Sequence, residues 1–396
     1  MLFLLVQTNH MKKQLRLFSL LFLGSCFIAL AQPSTNKKDS EYKFTITKSI
    51  EAAPVQSQGK TGTCWSFSTL SFFESEIMRV KKIKDVKLSE MFVVKKTYPL
   101  KADNYVRMHG NAQFGEGGEP TDVINCWKNY GMMPREIYNG NLNEATGYNH
   151  KDLDSALLSQ VKAVSVKDKI NPGEWKNQFI TTLDKYLGIA PESFTYKGKV
   201  YTPKTYAAEL GINPDDYVFI SSFNHHPFYK PFILEVPDNW AWKQYQNVPI
   251  MELISIIDNA LNNGYGVEWA ADVTESFFRF QDGLALVPEN WDALNVDEKN
   301  NCFKRPCRQQ NITQDIRQAA FDDYETQDDH GMHIIGLAKD QDGNKYYLIK
   351  NSWGTKRNDC DGYFYASEAY MRLKTISITL HKNAVPADIA KKLIIK

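Results

Sequence analysis

The sequence predicts an α+β fold, and three observations carry that prediction. From Cys64 onward apolar residues take helical spacing, with Phe67, Leu70, Phe73, Ile77 and Val80 three or four apart, which reads as an amphipathic helix with one buried face. Far downstream, two apolar runs at 330–338 and 345–350 flank Asp340-Gln-Asp-Gly-Asn344, which contains the Asp-Gly hairpin signal. The 396 residues, 43% hydrophobic and 13% aromatic, suffice for one large core or two packed lobes.

At the start, the basic stretch 11–16 precedes the apolar run 17–31, which closes on Ala29-Leu30-Ala31. That is the pattern of a secretory signal peptide over 1–31 with translation beginning at Met11, and it predicts an exported, periplasmic or secreted protein. Leu23-Gly-Ser-Cys26 also fits a lipoprotein cleavage box, but the apolar run continues past Cys26 and favours cleavage after Ala31 over a lipid anchor. At about fifteen residues the run is short for a stable membrane span. The formal net charge is +1 with no basic cluster, which argues against a nucleic-acid partner. Residues 32–43 are polar and read as a disordered linker, so the folded domain is expected over 44–396. Residues 44–50 alternate like a strand and end at Ala53-Pro54.

The helix at Cys64 places a thiol beside a helix N-terminus, where unpaired N–H groups favour a thiolate and lower its pKa. The competing interpretation is a small buried cysteine at a helix start. Residues 81–87 read as a solvated basic turn, and Leu88-Ser-Glu-Met91 opens the next segment. Gly117-Gly118 allows close backbone approach, and Pro120 with Asp122 suits the first turn of a helix that ends near 131–134.

Residues 139–246 are the least patterned. Helical spacing occurs at 153–164, 175–187 and 206–210, a hairpin at 196–200 and a strand at 218–223. Adjacent histidines rarely converge on one ligand, so His225 and His226 read as ordinary loop residues, and no metal site is expected. A helix over 248–263 stops at Gly264, followed by a buried strand at 265–271, a shorter one at 283–287, a charged excursion at 291–310 and a helix at 312–321. Cys126, Cys302, Cys307 and Cys360 are compatible with two disulfides of unspecified connectivity.

A thiol nucleophile needs a base that later protonates the leaving group, and histidine suits both steps. His330 heads the first strand of the downstream hairpin, and Asn351 follows the second. Pairing those strands brings the two side chains together, with the amide fixing the imidazole tautomer and Trp353 covering their bond. His333 lies three positions along and faces the other way, as a packing residue.

Gly62-Thr-Cys64-Trp65-Ser-Phe-Ser68 resembles the active-site segment of the papain-like cysteine peptidases, whose local signature is C-G-[SA]-C-[WY]. Thr61 replaces the first cysteine, which removes a family disulfide, and Thr63 stands where Ser or Ala is usual. Asp329-His330-Gly331 and Asn351-Ser-Trp353-Gly354 resemble the family's other motifs, with Gly331 where Ala is commoner. Cys64 and His330 lie much further apart than the about 130–150 residues of papain and cathepsins. That surplus, and the missing bridge, resemble the bleomycin hydrolase and aminopeptidase C branch.

The resemblance implies a two-lobe papain-like fold, a helical lobe with Cys64 and a β-barrel-like lobe with His330 and Asn351, and a large insertion at about 139–246. It implies a Cys64–His330–Asn351 triad, with Gln58, six residues ahead of the cysteine, donating to the oxyanion. Gly117, Gly118, Trp65 and Trp353 would bind substrate. Peptide substrates, no cofactor and homo-oligomers such as hexameric rings also follow from it. In that branch a C-terminal arm returns to the cleft and makes the enzymes aminopeptidases; the 381–396 stretch reads as stopping short of such an arm, which leaves endopeptidase action open. An acyltransferase would use the same triad, and an inactive papain-like binding protein would keep the fold without the chemistry. The mark of the inactive protein, a lost triad residue, is not found.

Overall fold

The computed structural model describes residues 34–142, 147–166 and 171–395. The signal-peptide reading of 1–31, with Met11 and Cys26, lies outside the described residues. Residues 34–43 contradict the expected linker. Asn36 and Tyr42 are fully buried. Asn36 Nδ2 donates to the Asp282 and Phe303 carbonyls and Tyr42 Oη to the Cys302 carbonyl. A polar segment is ordered here because its amides and hydroxyls satisfy loop carbonyls that burial would otherwise leave unpaired.

Strand β1 (Thr45–Ser49) leads into the loop ahead of helix α1 (Cys64–Lys81). Helices α2 (Glu90–Arg107), capped by Ser89, and α3 (Pro120–Tyr130), with Pro120 in its first turn, pack against α1. Helix α1 departs from the amphipathic expectation. Every residue from Trp65 to Met78 is buried, whereas Val80 is exposed. The helix lies between α2 and α3 on one side and the sheet on the other, so small hydroxyl residues fill its second face. Ser66 donates to the Glu90 carbonyl and Ser68 to Glu268 Oε1.

The 139–246 stretch is shared between the lobes rather than forming one insertion. Helices α4 (Lys151–Ser165) and α5 (Pro172–Leu187), the hairpin of β2 (Phe194–Tyr196) with β3 (Lys199–Tyr201), and α6 (Pro203–Glu209) extend the helical core. Strands β4 (Tyr217–Ser221), β5 (Pro231–Ile233) and β6 (Gln244–Asn247) instead join the large sheet.

Helix α7 (Ile250–Asn262) buries its apolar face on the sheet, and Gly264 at φ +81° ends it. Then come β7 (Val267–Ala271), the short β8 (Phe278–Arg279) and β9 (Leu284–Ala285), and helices α8 (Val296–Asn301) and α9 (Gln314–Asp322). Strands β10 (His330–Lys339) and β11 (Lys345–Lys350) form the expected hairpin. β12 (Tyr363–Ser367), α10 (Glu368–Lys374), β13 (Thr375–His381) and α11 (Ala387–Leu393) complete the chain. The sheet runs β5-β6-β4-β13-β7-β10-β11-β12-β9-β8, and β1 pairs with the distal half of β10.

All four downstream cysteines are free. Cys126 is buried in the helical core while Cys302, Cys307 and Cys360 belong to the β-rich lobe, so the pattern of two disulfides is not met.

Candidate active site

Two local structures meet at the interface of the lobes. The loop 56–63 delivers Cys64 as the first residue of α1, and Thr61 Oγ1 donates to the Gln58 carbonyl at 2.9 Å and bonds Thr63 Oγ1 at 2.6 Å. Where the resemblance loses a disulfide, hydroxyl contacts tie the loop. Opposite, β10 begins with His330 and packs on the N-terminal turn of α1. A Cβ on Gly331 would lie 3.4 Å from Trp65 Cα and 2.5 Å from Ser68 Oγ, so glycine permits this close approach. The residue after His330 thus packs directly on the first turn of α1, which Cys64 opens.

His330 is buried, and its Nε2 bonds Asn351 Oδ1 at 2.7 Å. That bond assigns the Nε2–H tautomer and leaves Nδ1 as the basic nitrogen. The same Asn351 oxygen accepts the Ser352 N–H at 2.7 Å. Trp353 stacks on the imidazole with ring centroids 4.7 Å apart and meets Phe280 edge-on. His330, Asn351 and Trp353 are in mutual contact, and Cys64 opens the helix turn that packs on Gly331.

The electrostatics reverse one expectation. Burial pushes the Cys64 thiol up to about 12, against hydrogen bonds from the Gly331 and Trp65 N–H groups, while the charges of Asp328 and Asp238 raise it further. Burial also lowers His330 to about 4, opposed by its bond to Asn351. Burial thus acts against the helix terminus on the thiol and against the imidazolium on His330.

Gln58 is buried, with one amide N–H on the Thr61 carbonyl at 2.7 Å and its Oε1 accepting from Ser352 Oγ at 2.6 Å. The amide has a second N–H to give. Its backbone N–H donates to the Ser352 carbonyl, and Ser57 bridges to Trp353. Ser352 thus orients Gln58, a part the motif alone does not reveal.

Gly117 and Gly118 are partly exposed on the wall ahead of α3. Lys101, only 1% exposed, donates to the Gly115 and Gly117 carbonyls from behind. Trp65, expected to contact substrate, is 2% exposed and lies beneath this wall instead. Its Nε1 donates to the Glu116 carbonyl at 2.9 Å, and a Cβ on Gly118 would lie 3.0 Å from its ring. Trp65 supports the wall and offers substrate no surface.

Other groups near the cleft carried no sequence signal. Tyr245 Oη donates to Glu119 Oε2 at 2.7 Å and Trp240 Nε1 to Asp122 Oδ2 at 3.0 Å, so the 237–245 segment clamps the start of α3. His333 is fully buried against α1, with Nδ1 3.0 Å from Ser71 Oγ, away from the Asn351 bond. His225 and His226 lie in a loop as expected, but they converge on one partner, Glu235, at 3.2 and 2.6 Å. Proline after the pair and the turn at 224–230 fold both rings onto one acceptor. Among the described residues this is the group able to offer a metal three ligand atoms, all within 4.8 Å of one another.

Residues 101–395 match the model of the Peptidase C1-like family, a stretch that starts after Cys64 and contains His330 and Asn351. The chain belongs to the Peptidase C1-like family. Aminopeptidase C of Streptococcus thermophilus is 25% identical over 89% of this chain and 86% of its own length. Aminopeptidase W of Lactobacillus delbrueckii subsp. lactis is 22% identical, covering 87% and 84%. Mitochondrial cysteine proteinase 1 of Saccharomyces cerevisiae (strain JAY291) is 21% identical, covering 92% and 82%. The solved structure of PepW from Lactobacillus rhamnosis HN001 superposes with a TM-score of 0.70 at 20% identity, over 88% of this chain and 84% of that one. This member of the Peptidase C1-like family therefore has the two-lobe papain-like fold, and it is a cysteine-type peptidase.

Proposed function

We propose that this Peptidase C1-like chain is an exported cysteine aminopeptidase that cuts peptide bonds with Cys64, His330 and Asn351. The observation carrying the reading is the junction of α1 and β10. The first turn of α1, which Cys64 opens, packs on Gly331, and the adjacent His330 keeps Nδ1 free by giving Nε2–H to Asn351. In the first step Nδ1 takes the thiol proton as sulfur attacks the peptide carbonyl. The second amide N–H of Gln58 and the Cys64 N–H receive the oxygen's developing charge. The imidazolium then protonates the leaving amine, and water activated by Nδ1 hydrolyses the thioester. Preference for a free N-terminus is supported by the names of two relatives, and export by the 1–31 pattern.

Alkylation tests the reading. Iodoacetamide should modify Cys64 and stop hydrolysis of an aminoacyl-amidomethylcoumarin in proportion to the modification. Full activity in a protein with Cys64 quantitatively alkylated would refute it.

A further inference from the structure

The cleft wall beyond Gly117 is built of carboxylates that no step above uses. Asp238 Oδ2 lies 1.9 Å from where a Cβ on Gly117 would stand, so only glycine lets that carboxylate reach the wall. Gln113 Nε2 holds its other oxygen at 3.1 Å. Asp328, two residues before His330, lies within hydrogen-bond reach of the Glu119 carboxyl. Glu119 is 2% exposed, and its Oε1 has no hydrogen-bond partner among the described residues. Two acids thus face each other in a water-poor corner with an acceptor to spare, and Asp238 and Asp328 open onto a cavity of about 460 Å³. Their charge reaches the Cys64 sulfur.

The nearby cation answers this charge only in part, the Lys101 charge acting on Asp238 and Asp122. The Lys101 ammonium is sequestered on the Gly115 and Gly117 carbonyls. Burial raises Asp328 to about 7 and Glu119 well above the usual carboxylate range, and it raises Asp238 against the Lys101 charge. A corner of three acids, one with a buried unpaired oxygen, beside a lysine committed to backbone carbonyls is suited to receive a further cation. Its position on the glycine wall, within the field of the nucleophile, sets which cation.

We propose that Asp238, Asp328 and Glu119 seat the α-ammonium of a peptide whose first residue lies between them and Cys64. The seat fixes cleavage to the bond after that residue and makes Asp238 the specificity-determining side chain. It rests on the reading of Cys64 as the nucleophile, but it concerns binding and is testable without turnover.

Calorimetry on the Cys64→Ala protein, using leucyl-alanine amide and its N-acetyl derivative, isolates the seat. The free amine should bind at least about 30-fold tighter, since acetylation removes one partner of a buried charge pair. Adding Asp238→Asn should bring the two affinities within about threefold, with the unfolding temperature unchanged. N-acetyl-lysyl-alanine amide should bind no better than the acetyl-leucyl peptide, which separates an α-ammonium from a side-chain ammonium. Equal affinity for the first two peptides, including no measurable binding of either, overturns the proposal. So does a preference that survives Asp238→Asn, or an acetyl-lysyl peptide that binds like the free amine. Failure of the catalytic reading would show instead in the parent protein, as hydrolysis indifferent to alkylation of Cys64.

Discussion

Ser352 Oγ donates to Gln58 Oε1 at 2.6 Å, joining the residue after Asn351 to the loop that presents Cys64. The bond spans the two lobes, and Gln58 N–H to the Ser352 carbonyl doubles it. The proposed oxyanion donor is therefore aimed by the same strand end that orients the imidazole. Ser352→Ala should leave the Gln58 amide held only by the Thr61 carbonyl, lowering kcat about tenfold with little change in KM. Gln58→Ala should cost about 10²–10³ in kcat, as the loss of one oxyanion donor does. Steady-state kinetics on one aminoacyl substrate checks both, and a KM effect larger than the kcat effect would contradict the assignment.

Asn351 holds His330 through a single oxygen, and Trp353 shields that contact. Asn351→Ala should reduce kcat/KM by about 10²-fold or more through misorientation of the ring. Trp353→Phe, which keeps an aromatic face over the imidazole, should cost less than Trp353→Ala. Kinetics of the three variants orders them, and equal losses in both Trp353 variants would argue against shielding.

The raised Asp328 and the lowered His330 give a pH signature. The kcat/KM of a free-amine substrate reports groups of the free enzyme. Asp328, near 7, must lose its proton to receive an ammonium, so that profile should fall as pH drops through about 7. For an N-acetyl substrate only His330 must be neutral, and its value near 4 puts the acid limb about three units lower. Asp329, Asp122 and Lys101, which also face this corner, stay common to both profiles. Superimposable profiles would remove the acids from binding.

Glu268 gives a stability prediction of opposite sense to that of most carboxylates. It is fully buried under α1, Ser68 is its hydrogen-bond donor, and burial pushes it up to about 8. A folded-state pKa above the unfolded value contributes stability that is complete below the unfolded pKa and lost as pH rises through the folded one. The protein should therefore lose up to a few kcal/mol between about pH 5 and 9 from this group. Glu268→Gln should flatten that slope, read by thermal unfolding at pH 6 and pH 9; an unchanged slope would contradict the assignment.

Much of the site was legible because its signals are local. The helix at Cys64, Pro120 in the first turn of α3 and the Asp-Gly turn between β10 and β11 depend on neighbours in sequence, and each formed where the spacing placed it. What was not legible depends on contacts between distant segments. The second buried face of α1 needs β10, some 250 residues away, and the order of residues 34–43 needs the carbonyls of Asp282, Cys302 and Phe303. Trp65 looks like a cleft residue until Glu116 and Gly118 are seen to cover it. The helix terminus argues for a low thiol pKa, whereas burial by the facing lobe, which no motif encodes, pushes it up. Asp238 sits on Gly117 through a segment whose sequence has no recognisable pattern.

The central claim is that the Cys64 sulfur becomes acylated, and rapid acid quench with an aminoacyl p-nitrophenyl ester followed by peptide mapping tests it most directly. The aminoacyl mass should appear within one turnover on the tryptic peptide 61–79, which contains Cys64, and be absent in Cys64→Ala. Turnover with that peptide unmodified at every quench time, or with the acyl group on another residue, would contradict it.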